Sequence, residues 1–110
     1  MKKFLFILNQ QEGQFSIPLD DILFLKADSR YTKIITREKT YLSCKTLKLY
    51  HEELEEAHFF YRLDRSHLIS INNLSIILDN KLYFNDKDIS CSYIKIRELR
   101  KYLNNKQMSE

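Results

Sequence analysis

The stretch Phe59-Phe60-Tyr61-Arg62-Leu63-Asp64-Arg65-Ser66-His67-Leu68-Ile69-Ser70-Ile71-Asn72 sets two arginines and a serine between two apolar runs. A guanidinium in such a place can fork onto a phosphate or onto guanine O6 and N7, a geometry that lysine lacks. Ser66 can donate to a phosphate. Arg62 is expected to pair internally with a nearby acid. Ser66 and His67 are sequence neighbours, and neighbours on a strand point to opposite faces, so they make a poor nucleophile–base pair.

Short segments rich in β-branched and aromatic residues surround this stretch. They occupy residues 2–7, 14–19, 21–27, 32–36, 39–44, 59–63, 74–78, 81–85 and 88–92. Each has about strand length, and polar pieces such as NQQEGQ, DSR and NDK separate them. Asp79-Asn80-Lys81-Leu82 reads as a hairpin turn. Two segments carry helical spacing instead. In 46–56, Thr46 is a natural N-cap and Leu47, Tyr50 and Leu54 share a face. In 93–104, Ile96, Leu99 and Leu103 form a stripe behind a Ser92 cap. The tail from 104 to 110 is expected to fray.

The chain of 110 residues has one glycine and one proline. Glycine-rich phosphate loops need at least two glycines and are excluded. Gly13 is expected to supply a positive φ in the first turn, and the other tight turns must rely on Asp, Asn and Ser. Two cysteines, Cys44 and Cys91, without CxxC or HxxxH spacing, imply neither a disulfide framework nor a structural zinc site. No cofactor and no metal are expected. His51 and His58 flank the acidic run Glu52, Glu53, Glu55, Glu56, which reads as a solvated helix face rather than an acid–base pair. The reading is therefore not an enzyme. The apolar run 4–8 is too short for a signal peptide and no run approaches a membrane span, which points to a soluble, cytoplasmic protein.

The net charge of +3 is unevenly spread. Residues 28–48 hold six basic side chains against two acidic, and residues 93–106 hold five against one. Two basic segments can build a surface that attracts phosphates. From the residues alone, a β-rich module whose basic face meets an acidic protein partner stays open as the alternative.

Taken in order, the pieces resemble the LytTR domain, the DNA-binding module of many bacterial response regulators. The similarity runs from about Phe15 to Leu103. It rests on Ile17-Pro18-Leu19-Asp20-Asp21-Ile22-Leu23-Phe24-Leu25-Lys26-Ala27, then on Arg30-Tyr31-Thr32 with Ile34-Ile35-Thr36. It continues through Thr46-Leu47, the run Phe60 to Ile69, and Ile89 to Ser92. The resemblance implies a mainly β fold of about ten short strands in small antiparallel sheets, with short helices including a C-terminal one. It implies one domain, with 1–14 as an added strand and turn.

The resemblance also implies a transcription regulator that binds double-stranded DNA. Side chains from loops would enter successive major grooves. Carried over by position, the site is Arg30, Thr32 and Lys33 in the first loop, Arg65 and Ser66 in the signature, and Tyr93 and Lys95 at the last helix. Arg65 and Thr32 are the expected base readers, and Arg30, Lys33, Ser66 and Lys95 the phosphate contacts, which fix register without reading sequence. This chain departs from the family pattern at Ser70, where an asparagine is usual, and at Tyr93, where an arginine is common. Tyr93 offers a hydroxyl, or an apolar face to a thymine methyl. A weak homodimer on repeated sites is expected. With only about fourteen residues ahead of the module, the chain is either a piece of a longer receiver-containing protein or a stand-alone regulator; Met1 and the added strand favour the stand-alone case slightly, whose input would be another signal such as a sequestering protein partner.

Overall fold

The computed structural model describes residues 3–9 and 11–108, which fall into two compact units meeting between Leu74 and Ser75. The first unit opens with an antiparallel hairpin, β1 (Phe4–Asn9) and β2 (Gly13–Pro18). Period-two alternation sends Leu5 and Ile7 inward and leaves Phe4, Phe6 and Leu8 exposed. Lys2, which the sequence reading placed in this strand, lies outside the described residues. Gly13 takes the expected positive φ, 101°. Asn9 closes the turn: its Oδ1 accepts from the Gln11 and Glu12 amides at 2.8 and 3.1 Å. Its Nδ2 donates to the Leu42 carbonyl at 3.0 Å.

A five-stranded antiparallel sheet follows, with strands β3 (Ile22–Asp28), β4 (Tyr31–Thr36), β5 (Thr40–Ser43), β6 (Phe60–Arg62) and β7 (His67–Ser70). Their spatial order is β5-β4-β3-β7-β6. Leu25 on the central strand pairs with Ile34 on one side and Leu68 on the other, and all three are fully buried. They join Leu5, Ile7 and Ile17 of the hairpin and Leu47, Tyr50 and Leu54 of the helical segment in one core. Each such side chain stabilises the fold by roughly 1.5–3 kcal/mol relative to exposure.

Helix α1 (Leu47–Glu53) starts where the sequence suggests, with the Thr46 hydroxyl accepting from the Leu49 amide at 3.3 Å. It tightens into a 3-10 turn over Leu54–Ala57 and stops at His58 in a left-handed conformation. The Tyr50 hydroxyl is bonded to the Ser43 hydroxyl at 2.6 Å within the core. Burial raises its pKa, against the opposing effects of Ser43 and Lys45. The acidic run is not uniformly solvated as expected. Glu53 is half-buried and takes Lys45 in an ion pair at 2.5 Å.

The second unit is a three-stranded antiparallel meander followed by a helix. Strands β8 (Ile76–Leu78), β9 (Lys81–Phe84) and β10 (Lys87–Ser90) pair in the order β10-β9-β8. The Ser92 hydroxyl accepts from the Lys95 amide at 3.3 Å and so caps α2 (Tyr93–Met108). Ile96 and Leu99 are buried, and Leu103 is half-buried. The helix continues past Asn104, where fraying was expected, as far as Met108. Ser109 and Glu110 lie outside the described residues.

The three two-residue hairpin turns do without glycine. Ser29, Asp79 and Asn85 each open a two-residue hairpin loop at φ values of 60°, 55° and 58°. Asp and Asn tolerate the left-handed region through local side-chain hydrogen bonding, and serine tolerates it less well.

Candidate nucleic-acid interface

Strand directions gather the basic loops of the first unit. β3 ends at Asp28, and the two-residue loop Ser29-Arg30 returns the chain into β4. β7 runs antiparallel to β3, with His67 opposite Lys26, so the β6–β7 loop emerges at that same end of the sheet. Arg30 and Arg65 are therefore carried on neighbouring loops of one sheet end. Both are exposed, and among the described residues neither guanidinium has a hydrogen-bond or ion-pair partner.

The loop from Leu63 to Ser66 is held from several sides. Arg62 donates through Nε to the Asp64 carbonyl at 2.8 Å and through a terminal nitrogen to the Arg65 carbonyl at 3.1 Å. Asp64 Oδ1 accepts the Ser66 amide at 2.8 Å and lies 3.0 Å from His67 Nδ1. The Ser66 carbonyl accepts the Ala27 amide at 2.8 Å, and the His67 carbonyl accepts the Leu63 amide at 3.0 Å. Partial burial pushes the Asp64 carboxyl up, but the Ser66 amide and His67 outweigh it, so its pKa ends below the ordinary value. The expected partner of Arg62 was an acid. Among the described residues its nearest partners are instead two loop carbonyls and, at 3.4 Å, His51 Nδ1. It braces the loop and is not free to meet DNA.

The other expected residues divide clearly. Ser66 is exposed in the loop. Lys33 is exposed and sits 3.4 Å from Asp28, an open surface pair worth little and easily exchanged for a phosphate. Thr32 is a correction. It is fully buried in β4 and its hydroxyl donates to the Lys45 carbonyl at 2.7 Å. A side chain with no exposed surface and a committed donor cannot read a base edge. In the second unit, Tyr93 is 67% exposed at the start of α2. Lys95 lies 3.6 Å from Glu98 in another open pair.

The basic segment 28–48 also separates in space. Arg37 lies beyond the far end of β4, where it donates to Asn73 at 2.5 Å. Lys39 stacks over Phe15 and Tyr41, and Lys45 is taken by Glu53. Sequence reasoning missed Lys26, which is exposed and directly opposite Lys33 in the β3–β4 register. Like charges placed so are destabilising unless an anion meets them. The available signal was a lysine directly after the unbroken apolar run 22–25.

The model of the LytTr DNA-binding domain matches residues 12–104. The chain belongs to that family. It is a family of DNA-binding domains and not of enzymes. Among solved structures, a LytTr DNA-binding domain from Bacillus cereus superposes with a TM-score of 0.77 at 21% identity, covering 94% of this chain and 98% of that one. At that identity the likeness shows the fold, and the mainly β architecture of the described residues, ten strands in small antiparallel sheets with a C-terminal helix, is the LytTr architecture. No curated protein matches the chain. Among the described residues of this LytTr domain, no group of three or more His, Cys, Asp or Glu side chains is set to hold a metal ion. No described helix is long and apolar enough to cross a membrane.

Proposed function

We propose that this LytTr domain is a sequence-specific transcription regulator that reads duplex DNA in the major groove through loop side chains. The observation that carries the reading is the pairing of Arg30 and Arg65 on two ordered loops at one sheet end, each with an uncommitted guanidinium. Arg65, on the more tightly braced loop, is the base reader, bidentate to a guanine. Arg30, Lys26, Lys33 and Ser66 meet phosphates. Tyr93 and Lys95 add contacts from the second unit, Tyr93 to a thymine methyl or a base edge and Lys95 to a phosphate. Ordered loops favour this because a loop backbone fixed in advance loses less freedom on binding.

The test is selection of bound duplexes from a random pool at controlled salt. The selected duplex should bind on the order of 10³-fold or more tighter than a scrambled one. Arg65→Ala should cost about 1–3 kcal/mol on the selected duplex and relax one position. Arg30→Ala should weaken all duplexes alike. With Lys26, Arg30, Lys33 and Lys95 as phosphate contacts, the slope of log K against log salt should be about −3.6. Equal binding of selected and scrambled duplexes would overturn the reading.

A further inference from the structure

Helix α2 carries more positive charge than Lys95 accounts for. Its 16 residues include Arg97, Arg100, Lys101 and Lys106 besides, and a single acid, Glu98, which Lys95 already meets at 3.6 Å. At about 100° per residue, Ile96, Leu99 and Leu103 mark the inner side of the helix, the first two buried and the third half-buried. Tyr93, Ile94, Arg97, Arg100 and Lys101 fall together on an arc of roughly 120° turned away from it. All five are exposed, Ile94 by 64%. Lys106 lies outside the arc, over the Tyr102 ring. Among the described residues, the side chains of Arg97, Arg100 and Lys101 have no hydrogen-bond or ion-pair partner. Arg97 stands three residues before Arg100 and four before Lys101. Such positions are neighbours on a helix surface, where like charges repel.

We infer that this arc lies along the phosphate backbone of bound duplex DNA, with Arg97, Arg100 and Lys101 each on a phosphate and Ile94 beside Tyr93 at the groove end. The inference rests on the DNA reading above and gives α2 a second role in it, as a helix that tracks one strand rather than one that reads bases. Charge complementarity selects the occupant: three cations without a counter-ion face a polymer that carries one negative charge per phosphate. Two of the three are arginines, whose planar forks match phosphate oxygens. Arg97 to Lys101 takes up about 6 Å of helix axis, which covers two to three consecutive phosphates of one strand at ~3.4 Å of duplex axis each. The arc is also continuous with Tyr93, the side chain of α2 already set on DNA.

The test is the slope of log K against log salt, measured for the selected duplex and for a scrambled one. The four cations named above give about −3.6, and the arc takes the whole chain to about −6.3. The triple variant Arg97→Gln, Arg100→Gln, Lys101→Gln should flatten the slope by about 2.7 and weaken both duplexes alike, leaving their affinity ratio unchanged. Glutamine keeps the helix propensity, and circular dichroism checks that the helix persists. Arg97→Lys with Arg100→Lys keeps the charges and should keep the slope. An unchanged slope in the triple variant overturns the inference and leaves the face to an acidic protein partner. So does an equal flattening by Lys48→Gln, Lys81→Gln, Lys87→Gln, three exposed lysines off the helix, which would make the effect one of net charge. Equal binding of the two duplexes by the unaltered chain would instead sink the sequence-specific reading, while the slope still reports on the arc.

Discussion

Arg62 is the side chain whose replacement should separate bracing a loop from touching DNA. Replacing it by methionine keeps most of the stem and removes the donors to the Asp64 and Arg65 carbonyls, at 2.8 and 3.1 Å. Two such bonds contribute about 0.5–1.5 kcal/mol each, toward the lower end where water can replace the donor. Arg62→Met should therefore cost about 1–2 kcal/mol in stability. The effect on DNA follows by another route. Freeing one residue's backbone and having to fix it again on binding costs roughly 1–2 kcal/mol, so affinity for the selected duplex should fall by about 5- to 30-fold. Arg65 is the base reader of this loop, so the loss acts mainly through it. In a double-mutant cycle at fixed salt, Arg62→Met with Arg65→Ala should bind about as well as Arg65→Ala alone. Losses that simply add would show that Arg62 contacts DNA itself or acts elsewhere. Unchanged affinity in the single variant would show that the loop holds its shape without the brace.

Three further outcomes rest on single observations. Ser29 sits at φ 60° in the β3–β4 turn, and Ser29→Gly should stabilise by about 0.5–1 kcal/mol in denaturant unfolding. A loss of stability would mean that the serine makes a compensating contact. Ser70 Oγ is buried with no hydrogen-bond partner among the described residues, so Ser70→Ala should be neutral or raise stability by up to about 1 kcal/mol, and a clear destabilisation would contradict it. Asp64 has a lowered carboxyl pKa when folded, so its contribution is full above the unfolded carboxylate range near ~3.9 and disappears as pH falls through the folded value. Unfolding measured from pH 6 downward should show this acid loss, and Asp64→Asn should flatten it. An Asn variant with the same acid slope would assign the slope to other carboxylates.

Much of the fold is legible because the residues that form it follow simple periodicities. Leu5 and Ile7 alternate with exposed neighbours, Leu47, Tyr50 and Leu54 fall at helical spacing, and Thr46 and Ser92 sit where caps belong. β7 leaves no strand pattern in the sequence. His67-Leu68-Ile69-Ser70 has three buried residues in a row, because both faces of this inner strand are covered, and such a run shows no alternation. The helix end was misplaced because Asn104 and Asn105 are only mildly unfavourable in a helix, and no glycine or proline follows to stop it. At the site, charge and exposure could be inferred for Arg30, Lys33 and Arg65. The inward turn of Thr32 could not, since it depends on which face of β4 meets the core, and that is fixed by pairing with β3. The brace by Arg62 was hidden for a similar reason: its partners are backbone carbonyls, which leave no trace in residue identity.

The order β5-β4-β3-β7-β6 has a consequence for how the chain assembles. The strands β3, β4 and β5 follow one another and can zip together locally, whereas β7 must return across the whole α1 segment to dock beside β3. Such a closure costs chain entropy before any pairing compensates, so it is a natural late event in folding and an early one in partial opening. The loop bearing Arg65 exists in its ordered form only after that closure, while Arg30 rides on the locally formed hairpin. A bound duplex held by both arginines would tie the late strand to the early ones. Slower exchange of the Leu68 and Ile69 amides on DNA would then report occupancy from inside the sheet.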